Sequence, residues 1–296
     1  MPAIYYEEVQ CKSLINRVHT DMGFKWTINP YRGCQHACVY CFARSSHEHL
    51  GFSSGLDFQS RIIVKVNAPE VLREELRRPG WRHEFILVGT ACDPYQQCET
   101  RYQLSRAILE ALCQHCNPIG MLTKSHLVLR DLDLLQEFAR RAPIRINFSV
   151  GTLDEEVWKK TEPGTPHPRK RLEALGKLAA AGVPTGIMLA PILPGLSDHR
   201  EGLEEVIKVA IAHGARSISP VVLHLRPGSK EWFMPFLREA YPHLMPQYAK
   251  LYRGPYAPEQ YTQQVYQVVE ELIDKWGLQR QGPVQEPPRG QLALAL

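Results

Sequence analysis

The 296-residue chain is 44% hydrophobic and 22% charged, the proportions of an ordinary globular protein, which excludes disordered and fibrous classes. Its 35 basic and 31 acidic side chains leave a net charge of only +4, too little to argue nucleic-acid binding from overall charge. No run approaches the roughly 18 consecutive apolar residues of a membrane span, and Glu7 and Glu8 stand where a secretory leader would be basic and then apolar. A cytoplasmic protein is expected, so its eight cysteines would meet a reducing environment. Clustered thiols there bind metal or do chemistry more often than they form bridges.

Taken in chain order, an N-terminal extension over residues 1–24 precedes a regular alternation of elements over residues 25–228. Continuous apolar or β-branched runs predict six buried strands at 25–28, 85–89, 119–122, 144–150, 185–190 and 217–222. Apolar residues at helical spacing predict helices at 69–76, 102–113, 131–140, 169–181 and 200–213. Pro69 suits the first turn of a helix, and Gly182, after the Ala-rich stretch at 178–181, suits a helix stop. Such α/β alternation leads either to an open doubly wound sheet or to a closed or partly closed barrel. After about residue 230 the alternation ends. Helices at 231–237 and 259–276 are expected in a C-terminal extension over 229–281, and the Pro-, Gly- and Gln-rich residues 282–296 read as a flexible tail. No repeat has the period of a solenoid or propeller.

Directly after the first strand, NPYRGCQHACVYCFAR places Cys34, Cys38 and Cys41 in one short loop at spacings of four and three. A zinc site usually draws paired ligands from separate segments, although His36 inside the loop offers a fourth ligand. An iron–sulfur cube has several iron corners, so close cysteines from a single loop can each take a different iron and leave one corner open. The bland alternative is two or three buried, inert thiols.

A CxxxCxxC motif followed by an aromatic resembles the signature of the radical SAM superfamily. The likeness extends from about Asn29 to Asp198 and is greatest to the spore photoproduct lyase branch and its uncharacterised relatives. It is carried by GTACDPYQQCE at 89–99, TKS at 123–125, NFSV at 147–150, TEPGTP at 161–166 and AGVPTGIMLAPILPG at 181–195. The resemblance implies a partial (β/α)6 TIM-like barrel with a helical C-terminal extension. It implies a 4Fe-4S cluster on Cys34, Cys38 and Cys41, S-adenosyl-L-methionine (SAM) chelated at the open iron, and an external one-electron reductant such as flavodoxin or ferredoxin. The implied chemistry is reductive cleavage of SAM to a 5′-deoxyadenosyl radical that abstracts hydrogen from an unidentified substrate.

Residue roles follow from the same resemblance. Tyr40 helps seat the adenine and Phe42 lies against the cluster. Lys124 reaches the methionyl carboxylate, and Ser149 supplies a hydroxyl contact. Arg171 and Glu162 suit a carboxylate clamp and a ribose contact, while Ala190, Pro191 and Ile192 form an apolar wall under adenine. In the photoproduct lyase, a hydrogen-donating cysteine stands three residues before the Asp that matches Asp93. Here Thr90 fills that place and Cys92 lies two further on, so an extended strand through Cys92 would point both to one face. Cys92 is thus a candidate hydrogen donor, set against an inert strand-end thiol.

Asp93, Tyr95, Gln96 and Glu99 follow the second strand and are candidates for substrate or cofactor contact. Cys98, Cys113 and Cys116 are read as ordinary thiols rather than ligands of a second metal. Two further readings stand beside the main one. The first is a DNA-repair lyase acting on pyrimidine photoproducts. The second is a non-catalytic nucleic-acid binder with a metal-stabilised loop, for which the basic residues of 78–82, 140–141 and 169–171 would supply the binding face.

Overall fold

The computed structural model describes residues 3–18 and 24–278; the tail expected at 282–296 lies outside them, as does part of each extension. Ten strands are present among the described residues: β1 (Tyr5–Val9), β2 (Asn16–Arg17), β3 (Trp26–Ile28), β4 (Tyr31–Arg32), β5 (Arg61–Lys65), β6 (Ile86–Val88), β7 (Ile119–Thr123), β8 (Ile144–Ser149), β9 (Thr185–Ile192) and β10 (Ile218–Val222). The helices are α1 (Leu56–Ser60), α2 (Ala68–Leu76), α3 (Glu99–Tyr102), α4 (Leu104–Gln114), α5 (Leu132–Arg141), α6 (Glu155–Thr161), α7 (Pro168–Ala180), α8 (Arg200–Ala212), α9 (Ser229–Ala240), α10 (Met245–Leu251) and α11 (Glu259–Lys275).

The main sheet has the order β10-β9-β8-β7-β6-β3-β2, parallel throughout except for the short antiparallel edge strand β2. Each parallel strand lies beside the next one in the chain. A doubly wound sheet reverses its strand order at a switch point. This sheet never reverses, so it winds one way into an α/β partial barrel.

Alternation along the strands separates two faces. Ile86, Val88, Ile119, Met121, Ile146, Phe148, Ile187 and Leu189 are buried beneath the helices, whereas Leu87, Leu122, Arg145, Asn147 and Met188 on the concave face are only half-buried. The interior of a closed barrel is a packed core; here the concave face keeps contact with water.

Local signals act as the sequence suggests. Pro69 lies in the first turn of α2. Past the end of α7, Gly182 takes φ +83°, and Val183 N donates to Leu178 O at 3.0 Å, closing the helix. The sequence reading misses a second sheet, β1-β5-β4, in which β1 runs parallel to β5 and β4 antiparallel to it. Its strands are short, and β1 is largely exposed, so no periodic apolar pattern announces them. Pro235 inside α9 likewise hides that helix's extent, which runs beyond 231–237 at both ends.

Both additions serve the cysteine loop. Strand β4 leads into it, and Cys34 N donates to Phe58 O at 2.9 Å. On its other side, Cys38, Val39 and Tyr40 share a hydrophobic cluster with Phe233 and Leu237 of α9 and with Tyr241, Leu244, Tyr248 and Tyr252. The C-terminal helices therefore cover the loop and exclude water from that side of it.

Candidate functional site

Gly33 turns the chain from β4 into the loop at φ +81°, where a Cβ would stand 2.8 Å from Arg61 O and 2.9 Å from Phe58 O. Only glycine fits that turn. Gln96, fully buried, grips the loop from the opposite wall: its Nε2 donates to Gly33 O at 3.1 Å and its Oε1 accepts from Gln35 N at 2.9 Å. The TEPGTP segment presses from a third side. Gly164 N donates to His36 O at 3.1 Å, and a Cβ on Gly164 would lie 2.1 Å from Gln35 O.

So held, Cys34, Cys38 and Cys41 face one cleft, whose walls include Gly89, Thr90, Cys92, Asp93, Leu122, Lys124 and Ser149. Burial pushes all three thiols up, Cys38 to about 12. They carry protons at neutral pH, and a metal centre binding there would displace those protons.

The strand-end residues divide sharply. Strand β6 ends at Val88, so the expectation that an extended strand carries Cys92 to the cleft is not met. Gly89, at φ +89°, bends the chain, and Asn29 Oδ1 accepts from Ala91 N at 2.8 Å and from Cys92 Sγ at 3.9 Å. That bend, rather than strand alternation, brings both Thr90 and Cys92 to the cleft wall. Burial raises the Cys92 thiol to about 12.

Asp93 also lines the cleft, but its acceptors are engaged. Oδ1 accepts from Tyr95 N and Thr123 Oγ1, while Oδ2 accepts from Lys124 N and stands 3.3 Å from His36 Nδ1. Burial opposes ionisation of Asp93, yet His36 and these donors outweigh it and hold the carboxyl below the usual range.

Tyr95, Gln96 and Glu99 require a correction, because none of them lines the cleft. Tyr95 OH donates to Asp131 Oδ2 at 2.8 Å, and Glu99 is consumed by Tyr31, Ser105 N and Arg130. All three are buried supports of the loop and strand end, with no polar atom left for a substrate.

A second network spans the cleft's far edge. Lys124 Nζ donates to Ser149 Oγ at 2.5 Å and lies 3.6 Å from Glu162 Oε1, and Ser149 Oγ donates to Ala190 O at 2.8 Å. Glu162 also accepts from Tyr40 OH and from Arg171. Burial alone would raise the Glu162 carboxyl, but Arg171 and Lys124 outweigh it and hold it at about 2. Arg171 is fully buried and spends its donors on Glu162, Thr165, Pro166 O and Ser149 O. Neither Arg171 nor Glu162 lines the cleft. They clamp each other through Arg171 Nη2 and Glu162 Oε2, a correction to their reading as direct ligand contacts, because an isolated buried charge is costly and a partner of opposite sign is at hand.

Phe42 is 46% exposed at the start of a 3-10 turn and is not among the residues that line the cleft. Of the apolar wall, Ala190 and Ile192 are buried and Pro191 is partly buried, but none lines the cleft. Cys98 and Cys113 are buried while Cys116 is exposed after α4. Among the described residues no group of three or more His, Cys, Asp or Glu side chains is arranged to hold a single metal ion, and no helix is long and apolar enough to cross a membrane. The sequence reading missed Arg44 and Asn29. Arg44 was findable as the one charged side chain in the otherwise apolar run CVYCFAR, where a cation needs a reason to be buried.

Comparison with known proteins agrees with this geometry. The family model of the radical SAM superfamily matches residues 28–209. An uncharacterised protein of Mycobacterium tuberculosis is 43% identical over 278 residues, covering 93% of this chain and 82% of that one. The spore photoproduct lyase of Bacillus subtilis is 29% identical over 163 residues, 54% of this chain and 43% of the lyase. A solved spore photoproduct lyase variant with bound AdoMet and dinucleoside spore photoproduct superposes with TM-score 0.64 at 17% identity, covering 88% of this chain and 77% of that one. With the three-cysteine loop at the mouth of a singly wound partial barrel and a family match across most of that barrel, the chain belongs to the radical SAM superfamily.

Proposed function

We propose that this chain is an enzyme that holds a 4Fe-4S cluster on Cys34, Cys38 and Cys41, binds SAM beside it, and acts on a substrate seated against the cleft. When bound, the cluster and SAM supply a 5′-deoxyadenosyl radical for hydrogen abstraction once an external one-electron reductant, such as flavodoxin or ferredoxin, delivers an electron. The observation that carries this reading is the convergence of three thiols from one loop, Cys34 and Cys38 buried and Cys41 half-buried, on a cleft that also presents Lys124 and Ser149. The donor set fits: the thiols come from a single loop tied down on three sides, and a buried cation, Arg44, stands behind them with no carboxylate partner among the described residues.

The chain's own residues bind, orient and exclude water. Lys124 and Ser149 offer a cation and a hydroxyl to the carboxylate of SAM. Tyr40, anchored through its hydroxyl to Glu162, sets its ring centre 5.7 Å from Lys124 Nζ, and Arg171 keeps Glu162 ionised. The C-terminal helices seal the loop's outer side, which protects a radical from solvent.

Anaerobic reconstitution tests the proposal. The loaded protein is expected to carry about four irons per chain, to absorb broadly in the visible, and to release 5′-deoxyadenosine and methionine from SAM on reduction. Zinc alone, or iron without SAM cleavage, would overturn it.

The narrower reading, a lyase acting on pyrimidine photoproducts in DNA, is favoured by one observation: Cys92 reaches the cleft wall as a protonated thiol. A thiol that donates hydrogen to a product radical must keep its S–H bond, and burial ensures this through the neutral range. Cys92→Ala is expected to leave iron content and SAM cleavage unchanged and to lower the yield of repaired dinucleoside from a spore photoproduct substrate. Equal yields would remove Cys92 from the chemistry, and absence of repair by the wild type would remove the lyase reading itself.

A further inference from the structure

Arg44 lies three residues beyond the last loop cysteine and is completely buried. Its guanidinium makes six hydrogen bonds, all to neutral acceptors: Nε to Cys38 O (3.2 Å), Nη1 to Ser54 O (3.1 Å) and Gly55 O (2.8 Å), and Nη2 to Ala37 O (3.3 Å), Cys38 O (3.0 Å) and Gln59 Oε1 (3.3 Å). Trp232 of α9 and Phe58 of α1 cover its faces, with ring centres 4.7 and 5.2 Å from Cζ. Among the described residues it has no ion pair; the neighbours whose negative charge would favour it are Cys41, Cys38 and Cys34. A charge enclosed in this way is costly unless something of opposite sign meets it. Hydrogen bonds to carbonyls satisfy its donors and leave its charge uncompensated.

On the reading proposed above, we infer that Arg44 is the counter-charge of the loaded cysteine loop, a positioning residue that holds the loop's carbonyls in place and sets how readily the site accepts an electron. Three thiolates on a cube leave the site net negative, and gaining one electron adds a further negative charge with no proton to balance it. A fixed buried cation favours the loaded site over the empty one and the reduced site over the oxidised one. The rings of Trp232 and Phe58 keep water from screening it, so the C-terminal helix α9 contributes to the same effect.

The test compares Arg44→Lys, Arg44→Gln and Gln59→Glu by redox titration of the reconstituted protein and by iron loss to a chelator. Arg44→Gln is expected to move the midpoint potential negative by at least about 59 mV, a tenfold change in a one-electron equilibrium, and to lose iron faster. Arg44→Lys, which keeps the charge, should stay nearer the wild type. Gln59→Glu leaves every Arg44 donor its acceptor and neutralises the cation from the far side, so it should also shift the potential negative, even where Arg44→Gln fails to fold. An unmoved potential in Gln59→Glu, or equal shifts in the Lys and Gln variants, would overturn the role of Arg44 alone. A wild-type chain that takes up no iron would overturn the underlying reading, and this inference with it.

Discussion

Replacing Cys34, Cys38 or Cys41 singly with Ala is expected to abolish SAM cleavage, with iron per chain falling far below that of the wild type. Two thiolates cannot anchor a cube by three corners, and the loop has no spare donor to substitute. His36 is committed to Asp93, and Cys92 is held at Asn29 across the cleft. Loss of an outer-shell partner of a metal site typically costs about 10- to 100-fold, so loss of a ligand should exceed about a hundredfold in 5′-deoxyadenosine formation. The apo fold should survive, because the loop is also tied by Gln96, Phe58 O and Gly164. Circular dichroism of the apo variants would show this. A variant that keeps both its iron and its SAM cleavage would show that the replaced cysteine is not a ligand.

The second large effect is expected at Glu162. Among the described residues its carboxylate is the one anion paired with Arg171 and with Lys124, and Arg171 is fully buried. Glu162→Gln removes that charge and leaves two cations facing each other, a loss of about 3 kcal/mol by comparison with other broken buried pairs. The pH dependence has a definite sign. The folded carboxyl sits at about 2, below its ordinary 4.5, so ionisation stabilises the fold above the ordinary value and that contribution fades as pH falls from there toward 2. Urea denaturation of apo wild type and Glu162→Gln should therefore show a wide gap at pH 7 that narrows through this window. A gap that stays constant on acidification would mean that Glu162 contributes by packing rather than by charge. The variant should also bind SAM more weakly, since Lys124 then loses the carboxylate 3.6 Å from its Nζ that helps to place it.

The local features were legible. All six barrel strands lie within a few residues of the apolar runs that predict them, and the helix start at Pro69 and stop at Gly182 appear where expected, because run length, periodicity and backbone preference are properties of neighbouring residues. The cysteine loop was equally plain, since three reactive side chains within eight positions need no tertiary information to be noticed.

Other features depend on partners far along the chain. The choice between a doubly wound sheet and a barrel is a matter of strand order, which the alternation of elements leaves open. Strand β1 pairs with β5 some fifty residues away, and neither carries a pattern that names the other. Glu162 and Arg171 look like free ligands until the fold sets them against each other, and Gln96 and Glu99 look like rim residues until burial consumes them. Cys92 reaches the cleft through a bend at Gly89 where an extended strand was expected.

The amino-acid sequence by itself determined that there would be alternating strands and helices and a three-cysteine loop after the first barrel strand, because those follow from short-range periodicity and spacing. Only the tertiary structure decided which polar groups remain available to a ligand and which are spent holding the loop, because burial and hydrogen-bond partnership are set by segments that meet only when the chain has folded.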